Sequence, residues 1–102
     1  MSFDSFVPFT PKLKLPCVLF VAADFCGYCH QMAPVMQQAQ SSLKNVPVYI
    51  VDADTNPKIV EKLKVQGFPT VFVVGANRRM HEYDGARDPA SIVAFVKKWT
   101  SS

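Results

Sequence analysis

Two cysteines separated by two residues are the part of this sequence best suited to chemistry. They form the tetrapeptide Cys26-Gly27-Tyr28-Cys29, and the third cysteine, Cys17, stands alone. A continuous apolar run over 17–22, typical of a strand buried on both faces, precedes the pair, and a helical pattern follows it. Two cysteines at this spacing at a helix start can close a small ring, so we consider a dithiol/disulfide redox pair first.

The predicted position at a helix N-terminus gives the two thiols different roles. Free backbone N–H groups and the positive end of the helix dipole stabilise a thiolate at Cys26, which is the expected nucleophile. Cys29 lies one turn deeper and is the expected resolving thiol, which attacks a mixed disulfide and releases the reduced partner. We expect Cys17 to stay a free thiol, because free cysteine is a common small core residue.

Covalent haem and zinc are the alternative uses of the pair. Residues 26–30 match the haem-attachment signature C-x-x-C-H. Three methionines could supply a sixth haem ligand: Met32, Met36 and Met80. The alternation of strands with helices disfavours haem, and zinc lacks a fourth ligand beyond His30, because Cys17 should lie roughly 20 Å away along the strand. We therefore expect neither a metal nor another cofactor.

Length and composition indicate one folded domain. The chain has 102 residues, 49% of them hydrophobic and 19% charged, which excludes general disorder. No apolar run approaches the roughly 20 residues needed to span a bilayer, and residues 1–10 have no signal-peptide pattern. The net charge of +3 is scattered, with doublets only at Arg78-Arg79 and Lys97-Lys98. We expect a cytoplasmic monomer that binds neither membranes nor nucleic acid.

The predicted elements follow the order β-α-β-α-β-β-α. Prolines and phenylalanines dominate residues 1–16, so we expect an arm that packs on a domain formed by 17–102. Two crossovers should give parallel strands, and a hairpin over 70–83 should add an antiparallel edge. The final helix should begin at Asp88-Pro89. An α/β fold with a central mixed sheet follows, and the cysteine pair lies at the carboxyl end of its first buried strand.

Four features in this order resemble the thioredoxin superfamily over most of the chain. They are the cysteine pair after a buried strand, Pro34 five residues after the second cysteine, the run 51–57 and the tetrapeptide Gly67-Phe68-Pro69-Thr70. The resemblance implies a thioredoxin fold with a shortened N-terminal element and a cis bond before Pro69. It also implies a thiol–disulfide oxidoreductase whose partners are protein thiols and disulfides, recycled by a reductase, an oxidase or glutathione.

A finer resemblance is to the catalytic domains of protein disulfide isomerases. Phe68 is common there, as is an arginine four residues after Tyr83. By this resemblance, Arg87 is the mobile arginine that helps the second cysteine ionise, whereas its other interpretation is a solvated surface residue.

Five residues are predicted to contact the substrate, and they surround the cysteines in the resembled fold: Gly27, Tyr28, Phe68, Pro69 and Gly85. Gly27 should let the loop turn tightly. Tyr28 offers a partly exposed aromatic ring for substrate contact, or simply packs over the site. The backbone of Phe68 can pair with an extended substrate segment. Gly85 should flank the same groove.

Three features depart from the family pattern. Phe25 replaces the usual tryptophan, Gly27-Tyr28 replaces the usual middle pair, and Phe20 replaces the usual buried acid. Because phenylalanine cannot accept a proton from Cys29, we expect slow release of mixed disulfides near neutral pH unless water, His30 or Arg87 substitutes. The alternative function is a non-catalytic module that keeps the fold and only binds partners.

Overall fold

Five strands and three helices form the part of the chain that the computed structural model describes, residues 3–100. The strands are β1 (Val7–Pro8), β2 (Cys17–Ala22), β3 (Val48–Asp52), β4 (Thr70–Val74) and β5 (Met80–Tyr83). The helices are α1 (Gly27–Ser41), α2 (Pro57–Lys62) and α3 (Pro89–Thr100). The predicted order of elements is confirmed from β2 onward, and β1 is an addition to it.

The strands form one mixed sheet in the order β1-β3-β2-β4-β5. β2 is central and completely buried, as its apolar run predicted. It runs parallel to β3, with Val18 beside Val48, and antiparallel to β4, with Val21 beside Thr70. β4 and β5 form the predicted antiparallel hairpin.

The prediction that both crossovers give parallel strands is wrong for the second one. β4 begins beside the end of β2, where Thr70 pairs with Val21, so it runs antiparallel to β2 and therefore also to β3. The connection over 53–69 therefore stays near one end of the sheet. Its helix α2 has only six residues and is about 9 Å long, too short to return the chain along the sheet.

Side chains of β2 alternate between two apolar clusters, as the period of two in a strand requires. On one face, Phe20 packs in a cluster with Met36 of α1 and Ile92 of α3. On the other face, Leu19 packs in a cluster that Ile59 of α2 covers. The sheet is thus held between α1 and α3 on one side and α2 on the other, which fixes the end of β2 where the cysteine pair follows.

The N-terminal segment contacts both the sheet and its core. β1 pairs parallel with β3, a strand that escaped prediction because it has only two residues. Phe6 is buried, and the rings of Phe3 and Phe6 meet Phe20 edge-on at centroid distances of 5.9 and 5.4 Å. The division of the chain at residue 16 stays a prediction.

The last helix begins where the sequence predicted. Asp88 precedes Pro89, and its carboxylate accepts hydrogen bonds from the backbone N–H and the hydroxyl of Ser91, both at 2.8 Å. An acidic residue in this position satisfies N–H groups that the first turn leaves free. Over residues 3–100, no helix is both long enough and apolar enough to cross a bilayer.

Candidate active site

Cys26 occupies the N-cap of α1, as predicted. Its backbone is extended, with φ −90° and ψ 110°, and its side chain is half-buried. The backbone N–H of Cys29 donates to Cys26 Sγ at 3.2 Å. Cys26 sulfur thus takes the place that a hydroxyl or carboxylate oxygen has in other N-caps, and an N–H donor directed at it stabilises negative charge there.

Cys29 lies one turn inside α1 and has no exposed surface. Burial raises the pKa of its thiol to about 12, and the side-chain hydrogen bond with Cys26 acts in the same direction. A hydrogen bond from the Ala23 backbone and the positive charge of Arg87 lower the pKa of Cys29, but they offset only part of this increase. The pair therefore combines one accessible sulfur with one sulfur that stays protonated near neutral pH.

Cys17 does not join this pair. It begins β2 beside Val74, whereas the pair follows the other end of that strand. Burial raises the pKa of the Cys17 thiol to about 11, and all three cysteines are free thiols in this structure. Its place in the strand agrees with the predicted small core residue.

The loop that leads into β4 lies beside the cysteines. The Phe68–Pro69 peptide bond is cis, which confirms the prediction for this loop. The hydroxyl of Thr70 donates to the Gly67 carbonyl at 2.7 Å and closes the loop. Phe68 is half-buried and meets the ring of Phe25 edge-on, with a centroid distance of 6.3 Å.

Two exposed aromatic residues lie within two positions of Cys26 in the chain. Phe25 is 77% exposed and Tyr28 is 65% exposed, although both are large apolar side chains. The sequence predicted contact with substrate for Tyr28 and identified Phe25 only as a replacement for tryptophan. Its contact with Phe68 depends on the path of the loop before β4, which local sequence does not reveal.

Arg87 lies on the same side of the sheet end as Pro69. The two residues line two adjacent cavities of about 470 and 240 Å³, together with Glu82. Met32 and Gly85 line the smaller cavity, which Pro69 also lines, and the contact of Gly85 with substrate stays a prediction. Arg87 itself is exposed and lowers the pKa of Cys29 through its charge. Its assignment as a catalytic residue stays a prediction.

The structure places different constraints on the two glycines predicted near the site, Gly27 and Gly85. Gly27 lies in the first turn of α1, its φ is not positive, and a Cβ placed there would meet open space. The backbone at Gly27 therefore does not need the conformational freedom of glycine, and its predicted contact with substrate stays a prediction. At Gly85 a Cβ would lie 2.8 Å from the Tyr83 hydroxyl oxygen, so a larger residue there would force the Tyr83 side chain to shift. The Tyr83 hydroxyl in turn donates to the Ala86 carbonyl.

No carboxylate lies beneath Cys29 among residues 3–100, where no charged or polar side chain is buried. Phe20 is completely buried in the cluster that contains Cys29. His30 stacks on Phe3 at 4.9 Å, and its Nε2 lies 2.7 Å from the Asp24 carbonyl oxygen. Consecutive residues of a helix do not face each other, so this arrangement does not favour His30 as the proton acceptor for Cys29.

Metal binding was the third possible use of the cysteines. Across the described part of the chain, His, Cys, Asp and Glu side chains form no group of three or more that could hold a metal ion. Cys17 would be needed as a zinc ligand, and it begins the strand whose other end precedes the pair.

Comparison with known proteins agrees with this arrangement. The family model described as thioredoxin matches residues 2–98. The chain is 30% identical over 96 residues to a probable protein disulfide-isomerase A4 of Caenorhabditis elegans. That alignment covers 94% of this chain and 15% of the nematode protein, so the chain spans a small part of this relative.

Solved structures share the fold. The first thioredoxin domain of mouse protein disulfide-isomerase A4 is 31% identical, with a TM-score of 0.72, and the match covers 80% of this chain and 61% of that one. Mitochondrial thioredoxin 3 from Saccharomyces cerevisiae has a TM-score of 0.79 at 21% identity, covering 96% of this chain and 99% of that one. The expected α/β fold with a mixed sheet is thus confirmed.

Proposed function

The chain belongs to the thioredoxin family, and from this premise we propose that it is a thiol–disulfide oxidoreductase acting on protein substrates. One observation carries the proposal. Cys26 Sγ lies at the N-cap of α1 and accepts a hydrogen bond from the backbone N–H of Cys29. The thiol of Cys29 itself is buried. An accessible sulfur that receives a backbone N–H hydrogen bond, beside a protected second thiol, is the arrangement that disulfide exchange needs.

Reduction of a substrate proceeds in two exchanges. The Cys26 thiolate attacks one sulfur of the substrate disulfide, the substrate S–S bond breaks, and one substrate sulfur leaves as a thiolate. Cys29 then loses its proton and attacks Cys26 Sγ, which breaks the mixed disulfide and releases the second substrate thiolate. Two electrons and two protons pass to the substrate, and Cys26 and Cys29 end as a disulfide. Oxidation of a dithiol substrate is the reverse sequence.

The surroundings of Cys26 suit an extended polypeptide segment as substrate. Phe25 and Tyr28 present apolar rings beside the sulfur, and Phe68 contacts Phe25 from the neighbouring loop. The backbone before Pro69 can pair with a strand of the substrate, since peptides commonly bind by adding a strand. The names of the relatives, which include protein disulfide isomerases, support protein thiols and disulfides as the substrate class.

Recycling of the pair requires a second thiol or disulfide. A protein reductase, a protein oxidase or glutathione supplies it, and the direction depends on the reduction potential of the pair relative to that of the compartment. Tyr28 beside the second cysteine does not select among the three. We propose an intermediate potential, between those of strong reductants and strong oxidants.

Turnover of insulin in the presence of dithiothreitol tests the proposal, since reduced insulin chains precipitate and scatter light. We expect activity in the wild-type chain, no activity in Cys26→Ser, and unchanged activity in the control Cys17→Ser. Cys29→Ser should accumulate a mixed disulfide with substrate. Equal turbidity curves with and without Cys26 would instead favour the non-catalytic binding module.

A further inference from the structure

Five basic residues that are scattered in the sequence converge at the end of the sheet opposite the cysteine pair. They come from the segment after α1, the turn between β4 and β5, and the last turn of α3. All five side chains are exposed: Lys44, Arg78, Arg79, Lys97 and Lys98. We call this surface the basic pole.

Strand register places the basic pole at this end. Cys17, the first residue of β2, pairs with Val74, and Val74 pairs with Met80 directly after Arg78 and Arg79. The end of α3 lies beside the same turn, because a Cβ on Gly75 would be only 3.2 Å from the Trp99 carbonyl oxygen. The pair of cysteines follows the other end of β2.

The basic pole concentrates positive charge in one part of the molecule. The other six basic residues share the rest of the chain with all eight acidic residues, although the net charge of the whole is only +3. The helices α1 and α3 both end here, and each helix C-terminus carries roughly half a negative charge. Two such termini offset about one of the five positive charges, so the surface stays strongly positive.

Two neighbouring cavities open on the basic pole. The first, about 580 Å³, is lined by Arg79, His81, Lys98 and Trp99 with three small or polar residues. The second, about 420 Å³, is lined by Lys44 and Lys97 among others. Thr100 lines both, so they adjoin, and no acidic residue lines either one within the described chain. Together they can accept an elongated anionic ligand.

The surroundings of Trp99 distinguish among anionic ligands. His81 stacks on one face of the indole, with ring centroids 3.6 Å apart, and Lys98 Nζ lies 5.3 Å from the ring centroid. Single-stranded nucleic acids bind by stacking bases on free aromatic faces, and here the indole already has two neighbours. Anionic membranes bind protruding apolar side chains, whereas Trp99 is only 38% exposed and lines a cavity. Carboxylate groups need neither a free aromatic face nor a protruding apolar side chain in order to bind.

We propose that the basic pole binds an extended acidic segment of a partner protein, rich in aspartate and glutamate. Arg79 and Lys98 hold carboxylates in the first cavity, and Lys44 and Lys97 hold those that follow in the second. Arginine adds two parallel hydrogen bonds to a single carboxylate, which fixes its orientation. Because the site lies at the other end of the sheet, it does not depend on the proposed redox function, and a partner can stay bound while Cys26 remains accessible.

Binding of a fluorescein-labelled peptide of ten glutamates, followed by fluorescence anisotropy, tests the proposal. We expect binding that weakens with added salt and that changes the fluorescence of Trp99, the one tryptophan of the chain. The variant Arg79→Glu/Lys98→Glu should bind at least about tenfold more weakly. The control Lys58→Glu/Lys62→Glu makes the same change in net charge with exposed lysines of α2 and should bind within about twofold of wild type.

Three results would overturn the proposal. The first is no binding of the peptide at low salt, and the second is an equal loss of affinity in both double variants, which would mean that net charge alone acts. The third is tighter binding of a ten-nucleotide uridylate or of phosphatidylserine vesicles than of the glutamate peptide.

Lys44→Ala/Lys97→Ala provides a second, milder variant in the adjoining cavity. An affinity of this variant equal to that of wild type would contradict the elongated site.

Discussion

The thiol of Cys29 must lose a proton before it can attack, and the residues around it give little assistance. Burial raises its pKa to about 12, and the ring of Phe20 lies in the same apolar cluster. His30 contacts Asp24 and Phe3 instead. Only the charge of Arg87 and the hydrogen bond from Ala23 favour the thiolate. Resolution of the mixed disulfide is therefore the step that we expect to be slow near neutral pH.

Replacing Phe20 by glutamate tests this interpretation. Phe20→Glu supplies a proton acceptor in the cluster of Cys29 and should speed release of a mixed disulfide near neutral pH. It also removes a buried ring, so we expect a loss of about 2–5 kcal/mol of unfolding free energy. Single-turnover release from a mixed disulfide, measured at several pH values, gives the rate, and urea unfolding gives the stability.

Phe20→Gln is the matched control, because it has a similar shape to glutamate and cannot accept the proton. We expect it to lose similar stability without the gain in release rate. If a well-folded Phe20→Glu protein releases its substrate no faster than Phe20→Gln, the absence of the acid has no kinetic importance here.

The two buried thiols also make stability depend on alkaline pH. Burial raises the pKa of Cys17 to about 11, above the value of 9.0 of a free thiol. In the unfolded chain the thiol ionises from about pH 9, whereas the folded chain keeps it protonated, so the free energy of unfolding should fall as pH rises from 9 to 11. Urea unfolding of the reduced protein at pH 8 to 11 measures this slope. Cys17→Val should make it shallower, and an unchanged slope would mean that Cys17 does not titrate as its burial implies.

At the scale of single elements, the carboxylate of Asp88 begins α3. Its two hydrogen bonds from Ser91 lower the pKa of Asp88, so its contribution to stability should be complete above the unfolded value of 3.8 and be lost as pH falls through and below it. Asp88→Ala should lower the melting temperature by a few degrees at neutral pH, because the first turn loses its cap. Asp88→Asn keeps a side-chain oxygen that can cap the first turn of α3, so this variant should retain most of the stability. A melting temperature of Asp88→Ala equal to that of wild type would show that the first turn does not need this cap.

The elements that the sequence predicted correctly are those whose burial produces a pattern. The run 17–22 is apolar at every position because both faces of β2 are covered, and that pattern is visible without the fold. The direction of β4 was not predictable, because it depends on which end of the sheet the connection 53–69 follows. β1 has two residues, too few for any periodicity, and it exists only because β3 offers a free edge.

Parts of the site were predictable for a similar reason. Cys26 and Cys29 differ in burial because the first lies at a helix N-terminus and the second lies one turn inside, which spacing alone implies. The contact between Phe25 and Phe68 joins segments distant in sequence, so it became visible only in the structure. The constraint at Gly85 comes from Tyr83, only two residues earlier, but it depends on the position of that ring, which the structure alone reveals.

At the scale of the whole molecule, chemistry and charge lie at opposite ends of the sheet. Arg79 and Lys98 lie at the end of the sheet opposite Cys26, so Arg79→Glu/Lys98→Glu should leave insulin reduction unchanged while it weakens peptide binding. Conversely, Cys26→Ser should bind the glutamate peptide as well as wild type does. A loss of reductase activity in the first variant, with its fold intact by circular dichroism, would contradict the independence of the two ends.

A redox titration shows whether Cys26 and Cys29 form a reversible dithiol–disulfide couple. The protein is equilibrated across a series of glutathione ratios, quenched in acid, alkylated and analysed by mass spectrometry. We predict one two-electron transition in which Cys26 and Cys29 lose their thiols together and map to a single disulfide, while Cys17 stays reduced at every ratio. Persistent reduction of all three cysteines, or a disulfide that includes Cys17, would mean that Cys26 and Cys29 are not the redox couple of this protein.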